Sequence, residues 1–409
     1  MKTWLRAVLC GFAITAASAA CAAGAAAATH HPIYMPGVSS QQSSALAPPP
    51  VELPPVCVTS PATSACVPYQ LPPAGQPTPV NMAYFGGHVQ TVPHIYLVLW
   101  GWGEPGAFSK TPPTGITRPK GLPSNDPDGV AARMTAFVRA LGGTGWAGSQ
   151  TQYYQLSGGR QQFITNPRSQ LAGVWWDNSD RIHNNVSGLD LAKEAQRAAA
   201  HFGVTNLANS QFVIAQPQNY NEAGFNSGAG YCAWHDYTTP EFYPGVKQGI
   251  AFTNMPYVLN QGFSCGQQAV NLGPKGDIDG VTIVAGHEIE ETVTDPGAEV
   301  TTTPGAGGGT VGGVGINGGH GIQPQGASVG GQRVGGQNLG GWFDYGGYEN
   351  GDKCAWVGDT GATDPWLVPG GLNNIKGNDG KLYPVQSLWS NQAAAGAGYC
   401  AGAGDNLGF

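Results

Sequence analysis

The stretch HIYLVLWGW, residues 94–102, constrains the fold of this chain more than any other. It is a continuous run of β-branched and aromatic residues bounded by Pro93 and Gly103, a pattern typical of a strand buried on both faces of its sheet. A sheet that contains such a strand needs a covering layer on each side. The run therefore predicts a layered domain rather than a sheet with one face in water.

Helical patterns follow this strand along the chain. Residues 129–143 place apolar side chains at helical spacing and end at a glycine pair, and residues 188–203 also have a helical pattern. The apolar run at 211–217 has the pattern of another buried strand. This order predicts the α/β class, as a single layered domain with a mixed central sheet and flanking helices, loop-rich and stapled by disulfides, in preference to an all-β sandwich.

Two segments have compositions that cannot build a packed core. Residues 21–80 are rich in Ala, Pro, Ser and Thr without apolar periodicity, which predicts an extended or disordered arm. Residues 301–341 are a low-complexity, glycine-rich stretch, which we interpret as an insertion in a surface loop. The folded domain is therefore expected at 81–409, with the insertion inside it.

The first residues have the pattern of a secretory signal. Lys2 and Arg6 precede a short apolar run, and small residues follow at 17–19, so residues 1–20 are predicted to be a signal peptide. The protein is then expected to be secreted, with a periplasmic location or a lipid anchor at Cys21 as alternatives. No later stretch is long and apolar enough to predict a membrane span.

The charge balance argues against nucleic acid as a partner. Loss of Lys2 and Arg6 with the signal would lower the formal charge from −7 to −9, and only 11% of the residues are charged. A nucleic-acid surface needs clustered basic residues to neutralise phosphates. An extracellular protein or peptide, or cell-wall polysaccharide, is the expected partner instead.

Outside the predicted signal the chain has an even number of cysteines. They are Cys57, Cys66, Cys232, Cys265, Cys354 and Cys400. In an exported chain this indicates disulfides, and proximity favours pairing each cysteine with its neighbour in that order. Cysteine ligands for zinc are disfavoured, because no C-x-x-C pair occurs.

The segment GHEIEETVTDP, residues 286–296, carries the candidate chemistry. His287, Glu288 and Glu291 form HExxE, one residue different from the HExxH signature of zinc proteases, in which the glutamate activates water. Residues four apart on a helix lie one turn above each other, so His287 and Glu291 would present donors to one point. Zinc accepts carboxylate ligands. The alternative is an acidic helix that contains a histidine by chance.

A third ligand must come from elsewhere in the chain. Asp295 lies two turns beyond His287, and the segment GWFDYGGYENGDKCAW supplies Glu349 and Asp352 beside a cysteine. Any of these three acids would complete a zinc site. Calcium held by several carboxylate oxygens, with His287 outside the coordination shell, is the alternative.

The segment GYCAWHDY contains a further candidate, His235, in an aromatic setting. A histidine there can donate a hydrogen bond to a transition state or act as an additional ligand. The alternative is a histidine bonded to a neighbouring backbone carbonyl. Glu288 and His235 are thus the predicted catalytic residues.

The order of these motifs resembles a known family. The segments HIYLVLWGWG, TQYYQ, GYCAWH, GDIDGVTIVAGHEIEETVTDP, GDKCAW and GKLYPVQSLWSN are similar to those of the phosphate-induced protein, or EXORDIUM-like, family and its bacterial secreted relatives. Plant members are cell-wall or apoplastic proteins without an established reaction. Bacterial members with H-E-x-x-E and T-D-P look like metallopeptidases. The resemblance implies His287 and Glu291 as ligands, Glu288 as general base, and Glu349 or Asp352 as the distal acid.

These observations predict a secreted zinc-dependent hydrolase of the metallopeptidase type. The alternative is a non-catalytic extracellular EXORDIUM-like protein, in which the acidic cluster is structural or binds calcium and exposed aromatic residues contact cell-wall polysaccharide. The two hypotheses differ in the metal that the protein holds and in the need for Glu288.

Overall fold

The computed structural model describes residues 31–34, 56–60, 63–67, 81–222, 224–227, 231–240, 243–297, 340–344, 348–355, 372–396 and 398–401, and the short strands 310–311, 314–315, 333–334 and 337–338. Its strands are β1 His31–Tyr34, β2 Val56–Ser60, β3 Thr63–Val67, β4 Ala83–Tyr84, β5 His94–Leu99, β6 Tyr154–Ser157, β7 Arg160–Phe163, β8 Leu171–Trp175, β9 Ser210–Ala215, β10 Tyr231–Tyr237, β11 Ala251–Met255, β12 Thr310–Val311, β13 Val314–Gly315, β14 Arg333–Val334, β15 Gln337–Asn338, β16 Trp342–Phe343, β17 Asn373–Lys376, β18 Leu382–Val385, β19 Leu388–Ser390 and β20 Tyr399–Ala401. Its α-helices are α1 Val130–Leu141, α2 Gly145–Gly148, α3 Gly188–His201, α4 Asp279–Thr294 and α5 Ala393–Gly396. Short 3-10 helices occur at Ser149–Gln152, Leu207–Asn209, Phe225–Ser227, Val258–Cys265, Gly273–Lys275 and Asp352–Cys354.

A central sheet with strand order β1-β10-β11-β9-β5-β8 organises the fold. The four strands β8, β5, β9 and β11 run parallel to one another. In contrast, β10 runs antiparallel to β11, and β1 runs antiparallel to β10. The sheet is therefore mixed, and with helices packed on it the predicted α/β class is confirmed.

Strand β5 lies inside the sheet, between β9 and β8, and is covered on both faces. Ile95, Leu97 and Leu99 belong to the core on one face, and Val98 belongs to the core on the other face. All four side chains are fully buried. This agrees with the sequence pattern, because only a strand with two covered faces can carry apolar residues in nearly every position.

Helices supply the two covering layers. The helix α3 packs against β9 and β11 on one face, and begins with a capping box in which Ser187 and Asp190 bond each other's backbone amides. The helix α1 lies on the other face, and Asp126 accepts hydrogen bonds from the free amides of Ala131 and Ala132 in its first turn. Both helices were predicted from their apolar spacing.

The helix α4 lies on the same face as α1 and is buried on all sides. It packs against β10, β11 and β9 on its inner side, against α1 beside it, and against β18 of the β17–β18 hairpin. Every residue from Asp279 to Thr294 is buried. A helix with no exposed face is typical of a protein interior, yet this one carries the HExxE residues.

Two of the predicted disulfides are present. Cys232 bonds Cys265, which ties the beginning of β10 to the segment that precedes α4. Cys354 bonds Cys400, which ties the loop after β16 to the terminal strand β20. Covalent links between segments that are remote in sequence restrict the unfolded chain and so favour the folded one.

Several sequence predictions lie wholly or largely outside the described residues. These are the signal peptide at 1–20, most of the arm at 21–80 and most of the insertion at 301–341. In the arm, β2 pairs antiparallel with β3 so that residues 57 and 66 are opposite each other, but the side chains needed to test the third disulfide are not described. Within the described part of the chain, no helix has the length and apolar character needed to cross a membrane.

Gly280 in the first turn of α4 generates the first prediction. A Cβ at this position would lie 1.9 Å from the carbonyl oxygen of Cys265, a backbone atom that cannot move away cheaply. We expect Gly280→Ala to lower the free energy of unfolding by about 1–3 kcal/mol, measured by urea denaturation. Gly145→Ala in α2 is the matched control, because a Cβ there meets nothing within 4 Å. Equal stability of the two variants would contradict the packing of α4.

Glu194 generates a pH prediction. It lies on α3, fully buried, and accepts a hydrogen bond from Arg197. Burial raises the pKa of Glu194 to about 8, although the charge of Arg197 opposes the rise. The folded chain therefore holds a proton at pH values between about 4.5 and 8, where the unfolded chain has released it. Stability is lost as the pH rises through this range.

Glu194→Gln removes this titration while keeping the shape of the side chain. We expect the stability of the variant relative to the unchanged protein to increase from about pH 5 to about pH 8, by at most about 1.4 kcal/mol per pH unit. Urea denaturation of both proteins at the two pH values measures the difference. A difference that stays constant with pH would show that Glu194 is ionised throughout.

Candidate metal centre

The helix α4 brings His287 and Glu291 together. They are four residues apart, and His287 Nε2 lies 3.0 Å from Glu291 Oε1. Both side chains are completely buried. The helical spacing alone therefore produces one nitrogen and one oxygen donor at a single point, as the sequence predicted.

The segment 348–355 supplies a third donor at the same point. Asp352 Oδ1 lies 3.7 Å from His287 Nε2, and the backbone N–H of Asp352 donates to Glu291 Oε1 at 2.8 Å. One ligand atom from each of His287, Glu291 and Asp352 lies within 4.8 Å of the others. These three residues converge in the way that a histidine–carboxylate metal site requires.

Several interactions hold this segment against α4. The side-chain amide of Asn350 donates to the backbone carbonyl of Glu290 at 3.0 Å, and that of Gln386 donates to the carbonyl of Gly351 at 2.8 Å. Buried Lys353 donates to Asp344 at 2.7 Å and lies 4.2 Å above the ring of Trp389. With the Cys354–Cys400 disulfide, these contacts fix the loop position that Asp352 needs.

Gly351 allows the loop to approach the donors closely. A Cβ on this residue would lie 2.9 Å from both His287 Nδ1 and Glu291 Oε1. Its backbone has an ordinary φ of −79°, so the glycine is required by space and not by conformation. Sequence analysis missed Gly351, since a glycine between two polar residues carries no metal-site signal.

The strand β10 adds His235 from the sheet below α4. Its Nδ1 lies 3.1 Å from Glu288 Oε2 and 3.7 Å from Glu291 Oε2, and its Nε2 lies 3.5 Å from Glu349 Oε2. Ligand atoms of His235, Glu291 and Glu349 form a second group within 4.8 Å of one another. The predicted site residues Glu288, His235 and Glu349 therefore meet in one buried cluster.

Asp295 occupies a different position from the other predicted ligands. The helix α4 ends at Thr294, and Asp295 Oδ1 accepts a hydrogen bond from the N–H of Gly341 at 2.8 Å. The backbone carbonyl of Asp295 lies 3.3 Å from His235 Nε2. Asp295 belongs to neither convergent group, because the backbone leaves the helix at this residue and turns its carboxylate toward the segment 340–344.

The electrostatics of the cluster follow from its burial. Burial alone would lower the pKa of His287, but the charge and hydrogen bond of Glu291, together with the charges of Glu288 and Asp352, raise it to about 10. Burial and the other carboxylates raise the pKa values of Glu288 and Glu349 well above their ordinary range. The cluster thus needs positive charge, supplied by protons or by a cation.

The donor set fits a metal ion. It combines imidazole nitrogens with carboxylate oxygens, which suit zinc and other transition ions, and its carboxylates also suit calcium. His287 Nδ1 has no hydrogen-bond partner among the described residues, although the ring is completely buried. Such a polar atom in the interior indicates that the cluster is organised around something other than protein hydrogen bonds.

The surface groove and the exposed aromatic residues are formed by residues outside the cluster. A groove is lined by Pro112, Pro113, Thr114, Gln218, Asn219, Asn226 and Asn260. None of these residues belongs to the candidate centre. Of the aromatic residues in the sequence pairs 153–154 and 175–176, Tyr153 is buried and Trp175 stacks on His201 at 4.1 Å, whereas Trp176 is 39% exposed.

The fold and the cluster define a mixed α/β protein with a buried histidine–carboxylate centre. No family model matches this chain, and no match was found among the curated proteins or the solved structures.

Gly351 provides a test of the loop position. We expect Gly351→Ala to weaken zinc binding at least about 10-fold, because the added methyl displaces the loop from His287 and Glu291. Isothermal titration of the metal-free protein with zinc measures the change. Gly148→Ala is the matched control, since its Cβ would meet only Asn166 Nδ2 at an ordinary 3.4 Å. Unchanged zinc affinity in Gly351→Ala would show that the loop is not part of the zinc site.

Proposed function

We propose that this chain is a secreted zinc-dependent hydrolase of the metallopeptidase type, built on the HExxE helix. The observation that carries the proposal is the convergence of His287 Nε2, Glu291 Oε1 and Asp352 Oδ1 beside Glu288. The resemblance of its motifs to bacterial EXORDIUM-like proteins with the same helix points in the same direction. The reaction that we propose is hydrolysis of a peptide bond in an extracellular protein or peptide.

In this proposal His287, Glu291 and Asp352 are the ligands. A zinc ion bound there would polarise a scissile carbonyl and lower the pKa of water enough to make it a nucleophile near neutral pH. Glu349, which the sequence also offered as a ligand, contacts His235 instead. This assignment selects one acid from the three that the sequence left open.

Glu288 has the role of general base. It follows His287 directly, lies in the same buried cluster, and has a pKa raised by burial and by the neighbouring carboxylates. A carboxylate with a raised pKa can take a proton from water and then deliver it to the leaving amine at neutral pH. The 3.1 Å contact with His235 Nδ1 holds the carboxylate in place.

In this proposal a substrate reaches the centre from the side of the loop. The side chain of Asp352 is 17% exposed, whereas those of His287, Glu288 and Glu291 are fully buried. A substrate carbonyl must therefore approach past Asp352. The two disulfides agree with an oxidising, extracellular environment, which is where a secreted peptidase would meet its substrates.

A matched pair of variants tests the mechanism. We expect Glu288→Gln to retain zinc and to lose peptide hydrolysis by about 10²–10⁴-fold, because the amide cannot accept the proton. Glu290→Gln makes the same chemical change on the same buried helix, outside both convergent groups, and should keep both zinc and activity. Labelled casein and a peptide library measure hydrolysis, and elemental analysis measures zinc.

The outcomes separate metal binding from catalysis. Full hydrolysis by Glu288→Gln would refute Glu288 as the base. Loss of zinc in His287→Ala, together with loss of hydrolysis, would support the ligand assignment. A purified protein that holds no zinc and gains none on dialysis against it would refute the proposal as a whole.

Calcium binding in a non-catalytic extracellular protein is the second candidate function. It is favoured by the complete burial of Glu288, Glu291 and Glu349, since carboxylate oxygens are the ligands that calcium uses. In that case the cluster would stabilise the fold, and exposed aromatic residues such as Trp176 would contact polysaccharide. Calcium in the purified protein, and a melting temperature raised by calcium but not by zinc, would favour this function.

A further inference from the structure

The two oxygens of Glu291 face different histidines. Oε1 lies 3.0 Å from His287 Nε2, on the helix, and Oε2 lies 3.7 Å from His235 Nδ1, on β10. Glu291 is also the residue shared by the two convergent groups. A carboxylate with each oxygen directed to a separate imidazole has the arrangement of a bridging ligand.

We propose that the centre holds two divalent cations, the second bound by His235, Glu291 and Glu349, with Glu291 bridging both. The proposed function assigns one zinc to His287, Glu291 and Asp352, and the inference rests on that function only for this first site. It changes the role of His235 from a residue that positions Glu288 to a metal ligand.

The contacts of His235 fit ligation through Nδ1. Glu291 Oε2 lies on the Nδ1 side, while Nε2 is 3.3 Å from the backbone carbonyl of Asp295. A metal-binding histidine typically donates its other ring N–H to a carbonyl or carboxylate, which fixes the tautomer and the ring orientation. The backbone carbonyl of Asp295 provides such an acceptor on the Nε2 side. The ring is therefore oriented as a ligand would be.

The second donor set repeats the first. Each contains one imidazole and two carboxylates, and each has its ligand atoms within 4.8 Å of one another. His235, Glu291 and Glu349 are all buried, as are His287 and Glu291 of the first set. The two sets have the same composition and lie on opposite sides of one shared carboxylate. An acidic patch on a protein surface has no such repeated arrangement.

Charge balance favours two cations over one. Glu288, Glu291, Glu349 and Asp352 together carry four negative charges when ionised, and two divalent cations neutralise them with both histidines neutral. One cation would leave two buried carboxylates to be neutralised by protons. Asp295 belongs to neither group, and its carboxylate is hydrogen-bonded to the N–H of Gly341. Burial of uncompensated charge is costly, so the fully loaded centre is the favoured state.

The test measures zinc stoichiometry, with zinc alone as the probe. Metal-free, disulfide-intact protein is dialysed against zinc and analysed for zinc per chain. We expect two ions in the unchanged protein and in Glu290→Gln. We expect one ion in each of the matched variants Glu349→Gln and Asp352→Asn, because each removes a ligand that belongs to only one of the two sites. We expect no ion in Glu291→Gln, which removes the shared ligand. Circular dichroism checks that each variant is folded.

A second measurement needs no substitution. Loading with manganese and recording electron paramagnetic resonance should give a broadened spectrum of a coupled pair, because the shared carboxylate holds the two ions close together. An isolated six-line spectrum at full loading would overturn the inference.

The outcomes also separate this inference from the proposed function. One zinc that is lost in Asp352→Asn but kept in Glu349→Gln would overturn the second site and leave the first intact. One zinc lost in Glu349→Gln but kept in Asp352→Asn would instead place the only site at His235 and refute the proposed function. Two ions, each lost singly in its own variant, would establish the bridged centre.

Discussion

The burial of ionisable groups on α4 is the constraint on which the rest of the structure depends. A helix that packs on a sheet, a second helix and a hairpin has no face left for water, and His287, Glu288 and Glu291 lie on it with no exposure. Carboxylates in such a position are stable only if charge or hydrogen bonds compensate them nearby. The surrounding elements must therefore deliver partners to a fixed point, and they do so with the imidazole of His235 from β10 and the backbone N–H of Asp352 from the loop.

The compensation comes from parts of the chain that are distant in sequence, so the scaffold has to be rigid. The Cys232–Cys265 disulfide links the strand of His235 to the segment leading into α4, and Cys354–Cys400 anchors the loop of Asp352. The buried pair of Lys353 and Asp344 satisfies its own charges and leaves the loop acids to the cluster. Both disulfides thus lie next to elements that carry candidate ligands, where a shift of 1 Å would alter the geometry of the candidate centre.

Much of the fold could be predicted because it depends on local patterns. The run at 94–102 and the helix at 129–143 follow from apolar periodicity, and the meeting of His287 with Glu291 follows from the pitch of a helix. The choice among acids outside α4 could not be predicted. It depends on the close approach allowed by Gly351 and on the turn of the backbone at Asp295, which are tertiary features. The aromatic neighbours of His235 in the sequence indicated a candidate residue. The direction of its side chain, however, is determined by the sheet.

The way in which the loop contacts α4 connects stability with function. Polar contacts join the loop to α4: the N–H of Asp352 donates to Glu291, and the side chain of Asn350 donates to the carbonyl of Glu290. Loss of either contact would leave a buried polar group without its partner, which costs more than the hydrogen bond itself contributes. A substitution that displaces the loop is therefore expected to lower stability and to separate the candidate ligands at the same time. The residues that join the loop to α4 are thus among the candidate metal ligands.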